Sequence, residues 1–105
     1  MIAQTPQPPY YAVIFTSVRT EGDHGYNEMA NQMVALGSTM KGFLGIESAR
    51  EEIGISVSYW DSLESIKAWK QEAAHQVAQE KGRSQWYAAY KTRISLVERD
   101  YGFEQ

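Results

Sequence analysis

Five side chains in this sequence have the chemistry to hold or transform a small molecule: Trp60, Trp69, His75, Arg83 and Tyr87. Trp60 closes a run of alternating residues, and Trp69 follows nine positions later. Two indoles so placed, one at a strand end and one on the next helix, either wall a cavity for a planar ligand or fill a core. His75 offers a base whose ordinary pKa, about 6.5, suits proton transfer near neutrality. Its neighbours Glu72, Gln76 and Gln79 equally suit a solvated helix face. Arg83 offers a guanidinium to an anion. The phenols of Tyr87 and Tyr90 can touch a ligand or pack across a subunit seam. His75 and Arg83 are therefore the catalytic candidates, and Trp60, Trp69 and Tyr87 the substrate-binding ones.

Other chemistries lack their residues. There is no cysteine, which removes disulfides, thiolate metal sites and a thiol nucleophile. No glycine-rich phosphate loop, nucleophile elbow or His-Glu-x-x-His run is present. His24 and Asp23 have no third metal ligand at a recognisable spacing, so no metal site is expected. Thirteen acidic residues against ten basic ones give a net charge of -3, mixed along the chain, which argues against nucleic acid as a partner. The apolar runs are too short to cross a bilayer, and residues 1–6 carry neither a charged nor a long apolar segment. The expected compartment is the cytoplasm, with no membrane partner.

The elements that must position these residues are legible in the pattern. Residues 1–9 hold all three prolines and read as a loose tail ahead of a single domain over 10–105. Tyr10 to Arg19 is β-rich and apolar on both faces, with Tyr10, Ala12, Ile14 and Val18 on one and Tyr11, Val13 and Phe15 on the other. Tyr26, Met29, Ala30, Met33 and Leu36 recur at helical spacing, with Asp23 as a cap and Gly37 near the end. Phe43–Arg50 and Ile53–Trp60 read as a hairpin joined at Glu51-Glu52. A second helix opens at Asp61 or Ser62, where Asp61 and Glu64 are spaced like a capping box. Leu63, Ile66, Trp69, Ala73 and Val77 form its apolar stripe, and Gly82 its stop. Lys91 to Tyr101 is the last strand.

The order β-α-β-β-α-β in a domain of this size predicts an α+β, ferredoxin-like fold: a four-stranded antiparallel sheet with both helices on one face. A first strand apolar on both faces then needs a second cover. A copy of the same sheet supplies it, at roughly 25 cal/mol per Å² of apolar surface removed from water. The expectation is a homodimer, its seam on the open sheet face and the C-terminal strand.

Several blocks carry a family likeness: Tyr59-Trp60-Asp61-Ser62, Ala68-Trp69, His75 to Gln79 with Gly82-Arg83, and the ending from Trp86-Tyr87 through Val97-Glu98-Arg99-Asp100-Tyr101-Gly102-Phe103. Over about residues 10–102 the chain resembles the antibiotic biosynthesis monooxygenase family of dimeric α+β barrels. The closest likeness is to a poorly characterised bacterial subgroup. The resemblance implies oxygenation of a flat aromatic or polycyclic molecule, with no cofactor or with heme. Quinone-forming members hold an Asn four residues before the strand-end Trp and a Tyr six after it; this sequence has Ser56 and Ile66 there. Heme-degrading members join a first-strand Asn to a helical Trp and a His ten residues on. Here Trp69 is kept, but Thr16 or Ser17 and Gln79 stand at the other places. The expected cofactor is therefore none, with heme disfavoured, and the alternative is a non-catalytic dimeric binding or stress-related module.

Overall fold

The computed structural model describes residues 1–79 and 85–105. Six elements appear in the expected order: β1 (Tyr10–Arg19), α1 (Tyr26–Thr39), β2 (Phe43–Arg50), β3 (Gly54–Trp60), α2 (Leu63–Gln79) and β4 (Tyr87–Val97). The strands form one sheet in the order β2-β3-β1-β4, with every neighbouring pair antiparallel. This is the ferredoxin-like α+β arrangement.

β4 differs from its expected bounds, beginning at Tyr87 and stopping at Val97. Its limits follow β1, which pairs from Tyr10↔Val97 to Arg19↔Tyr87 and has no residue left to pair beyond. A bulge beside Val18 and Arg19 takes up the odd residue, so Tyr87 and Tyr90 both end on the helix-covered face.

The helix starts are built from short side chains. The amide of Ser65 donates to Ser62 Oγ at 3.1 Å, so Ser62 is the cap of α2, and the Ser65 hydroxyl donates to Asp61 at 2.7 Å. The Asp61–Glu64 box expected from the sequence is thus replaced by a Ser62–Ser65 pair. Those hydroxyls hold the Asp61 carboxyl below its usual range, Ser65 first and Ser62 second. At α1, Asp23 accepts from the amides of Gly25 and Asn27 at 2.9 and 3.2 Å, although Gly25 itself occupies the cap position.

Cross-strand partners share a face, so the registers sort the sheet. Tyr11, Val13, Phe15, Ser17 and Arg19 of β1 lie with Trp60, Ser58, Ser56 and Gly54 of β3 beneath the helices. Ile66 of α2 and Met29 of α1 are buried over them, whereas Leu63, expected in the apolar stripe, faces solvent. Tyr10, Ala12, Ile14, Thr16 and Val18 lie on the opposite face with Tyr59, Val57 and Ile55.

The first nine residues, expected to be loose, hold specific contacts with that opposite face. The Ala3 amide donates to Glu47 at 2.9 Å, and the Thr5 hydroxyl donates to Tyr10 Oη at 3.0 Å. Tyr10 in turn donates to Asp100 at 2.5 Å, so the two ends of the chain meet over one buried phenol. Tyr59 donates to Glu47 at 2.6 Å, and burial followed by this bond pushes its phenol up to about 12.

Candidate functional site

Trp60 is fully buried, at 0% exposure. Its ring stacks on that of Trp69 at 5.9 Å and 22°, meets Phe43 edge-on at 5.5 Å, and sends its N–H to Ser58 Oγ at 2.9 Å. Trp69 is half-buried and lies under Gly37 of α1, where an added Cβ would touch the indole at 3.4 Å. The tryptophan pair, with Ile66 beside it in the core, therefore joins both helices to β3. Of the two walls considered from the sequence, Trp60 has no surface left for a ligand; Trp69 keeps part of its edge.

His75 sits on the exposed side of α2. Arg83 lies outside the described residues. Tyr87, half-buried at the start of β4, stands in a cluster of aromatic rings and keeps part of its surface. Its ring is 5.4 Å from Phe15, 5.7 Å from Tyr26 and 5.9 Å from Tyr90, and its phenol shares a hydrogen bond with Tyr26. Burial first, and the Tyr26 bond second, raise the Tyr87 pKa, while the positive charges of Arg50 and Arg19 act the other way. The phenol is a neutral O–H group at any physiological pH, fit to donate and unfit to act as a base.

Those two arginines escape a reading based on motifs. Arg19, at the end of β1, donates to the carbonyls of Trp86 and Gly22 at 3.2 and 3.1 Å, and its guanidinium carbon sits 3.5 Å from the Tyr26 ring centroid. Arg50, at the end of β2, donates to Ser17 Oγ at 2.5 Å and lies 5.9 Å from the same ring. To reach Ser17 it crosses β3 at Gly54, where a Cβ would collide with the guanidinium. The arginine-to-glycine pairing across the hairpin is the one signal in the sequence that could have marked it.

Trp86, just ahead of β4, is nearly fully buried. Its N–H donates to the His24 carbonyl at 2.9 Å, and its own carbonyl accepts from Thr20 at 3.0 Å. His24 thus serves the loop through its backbone, at a left-handed φ of 50°. Among the described residues no group of three His, Cys, Asp or Glu could hold a metal. On the first strand the Ser17 hydroxyl is buried and taken by Arg50, and Trp69 is engaged by Trp60 and Gly37.

Beyond the aromatic cluster the helix-side surface of β4 is open. Ile94 and Leu96 are 49% and 47% exposed, and they continue a row from Tyr90 beside Phe15, Val13 and Tyr11. The result is an apolar shelf, closed at one end by two phenols and two guanidiniums. Planar apolar surface beside fixed hydrogen-bond donors and positive charge suits a flat ring system bearing an oxygen anion. No described helix is long and apolar enough to cross a membrane.

The model of the antibiotic biosynthesis monooxygenase family matches residues 9–81. YqjZ of Bacillus subtilis (strain 168), an uncharacterized protein, is 51% identical over 106 residues, covering 99% of this chain and 93% of that one. Among solved structures, SO0527 from Shewanella oneidensis superimposes with a TM-score of 0.71 at 8% identity, covering 91% of this chain and 97% of that one. PA3566 from Pseudomonas aeruginosa gives 0.68 at 14% identity, covering 91% and 99%. SnoaB from Streptomyces nogalater, a cofactor-independent oxygenase, gives 0.63 at 7% identity, covering 93% and 100%. These likenesses speak to the fold; the family match across most of the chain, together with the relative that is half identical, shows that this chain belongs to the antibiotic biosynthesis monooxygenase family.

Proposed function

We propose that this protein oxygenates a flat aromatic or polycyclic molecule without a bound cofactor. The observation that carries the reading is the shelf on the helix side of β1 and β4, an exposed row from Leu96 and Ile94 to Tyr90 that ends at the Tyr87–Tyr26 pair. An ionised phenolic ring system is electron-rich enough to react with dioxygen directly. The protein's contribution is to bind it in an apolar setting and to stabilise its anion with donors already in place. The overall change is balanced without a reductant: a CH2 between two aryl rings becomes C=O, one atom of dioxygen enters the product, and the other leaves as water. One O–H of the Tyr87–Tyr26 pair is spent on the bond between the two phenols, and the other donates to the substrate oxygen. Trp69 contributes its half-buried edge, His75 is the candidate for proton transfer, and Trp60 holds the helices in place.

Membership of the family, and SnoaB as a fold neighbour that is an oxygenase, support this reading. A second reading, a binding module without turnover, is favoured by Ser56 and by the buried Ile66, which put no amide and no phenol next to Trp60. Oxygen uptake with a tricyclic phenol, measured with EDTA present, separates the two. Uptake matched by a carbonyl product supports the oxygenase. Tight binding with no uptake above buffer supports the module.

The homodimer belongs to the same proposal. The chain exposes 7669 Å², against roughly 6000 Å² for a compact monomer of 11.9 kDa. Its radius of gyration, 14.2 Å, exceeds the roughly 13 Å usual for this length. Val18 and Ile55 lie exposed on the open sheet face, around Ile14 and Val57. An exposed apolar sheet face and surface in excess of a compact monomer's both support a second copy on that face.

A further inference from the structure

We infer that Arg19 and Arg50 form a two-guanidinium clamp for a carboxylate, so that the aromatic ligand of the shelf is an acid. The inference rests on the shelf proposed above and adds the class of group at its polar end. Among the described residues Arg19 donates only to backbone carbonyls, and Arg50 only to the carbonyl and hydroxyl of Ser17. Among the described residues neither has a carboxylate partner, so two full positive charges share one end of the sheet, against a chain whose net charge is -3. An arginine carries five N–H donors, and these contacts use two on each, leaving donors free on both.

The arrangement is built rather than incidental. Gly54 is buried under the Arg50 guanidinium, and any side chain at that position would displace it. Ser17, among the most buried side chains of the chain, spends its hydroxyl on that same arginine. Arg19 is fixed by two carbonyls and by the face of Tyr26. Side chains held this firmly lose little freedom on binding, and a guanidinium fork matches the two oxygens of a carboxylate. The path to the shelf is continuous: Tyr26 touches Tyr87, Tyr87 touches Phe15, and Phe15 touches Tyr90 at 5.4 Å. A ring lying on Phe15 and Tyr90 therefore points an acidic substituent at the two arginines.

The test compares 2-naphthoate with its neutral counterpart 2-naphthamide, by calorimetry, on the full chain. The clamp predicts that the acid binds at least about tenfold more tightly, and that the preference shrinks as salt is raised. Arg50→Gln and Arg19→Gln should each reduce the preference to within about twofold. Gly54→Ala keeps every charge and only pushes the Arg50 guanidinium aside, so it should weaken naphthoate binding while circular dichroism stays native. This variant carries the test if the loop held by Arg19 fails to form in its own mutant. Equal affinity of the acid and the amide overturns the clamp and leaves the shelf standing. Failure of both probes to bind overturns the clamp and the shelf together. A preference that survives in both Arg50→Gln and Gly54→Ala also contradicts the assignment.

Discussion

Trp60 concentrates more packing than its position at a strand end suggests, because it meets Trp69, Phe43 and Ser58 at once. Trp60→Ala should cost about 3–5 kcal/mol, the usual penalty for emptying a filled aromatic site. Trp69→Ala, at a half-buried position, should cost less, about 2–3 kcal/mol. Urea midpoints of the two variants check this order, and the reverse order would contradict the core assignment. A second consequence concerns pH. The Tyr59 hydroxyl, followed by the Ala3 amide, lowers the Glu47 pKa, so this group adds stability above its ordinary value of 4.5 and loses it as pH falls below. The partner behaves oppositely: with Tyr59 raised from 10.0 to about 12, its contribution is complete below pH 10 and fades as pH rises through 12. Tyr59→Phe should flatten both ends of the profile of stability against pH. A profile identical to that of the parent protein would show the pair to be inert.

At the scale of elements, the junction between β3 and α2 is the most constrained. Gly42 holds a φ of 88°, its carbonyl accepts from the Asp61 amide at 2.9 Å, and a Cβ there would run into Ser65 and Asp61. Gly42→Ala should cost about 2–3 kcal/mol, combining left-handed strain with overpacking, and thermal unfolding would measure it. A loss below about 0.5 kcal/mol would contradict the packing described. This region also shows where sequence reading succeeds. Alternation and helical spacing marked all six elements, because apolar residues recur along each at the period of a strand or a helix. The cap moved from Asp61 to Ser62 because both are good caps and only tertiary packing chooses between them. The start of β4 was missed because Trp86 to Tyr90 shows no alternation: a bulge breaks the period there. For the site, Tyr87 and the tryptophans were legible as aromatics at element ends, but core and wall look alike in a sequence. Arg19 and Arg50 were not legible as a pair, since they lie on strands joined only through β3, and Arg50 comes to the end of β1 by a reach across Gly54.

At the scale of the whole molecule, the two faces of the sheet carry separate duties. The helix side holds the shelf and its polar end, and the open side presents Ile55, Val57, Ile14 and Val18, the face proposed to meet a second copy. Light scattering at micromolar concentration should give twice the 11.9 kDa of one chain. Ile55→Glu, at a residue 41% exposed in the single chain, should return the mass of one chain with the fold retained. A single-chain mass for the parent protein would remove the dimer. The central claim, that the shelf supports oxygenation of an aromatic ring system by dioxygen itself, is tested most directly by mass spectrometry. The purified protein is incubated with a tricyclic phenol and isotopically heavy dioxygen, with EDTA present. The account predicts a carbonyl product carrying one heavy oxygen atom, formed over many turnovers and lost in Ile94→Arg. A phenol that binds yet is recovered unlabelled, at the rate seen in buffer alone, would contradict it.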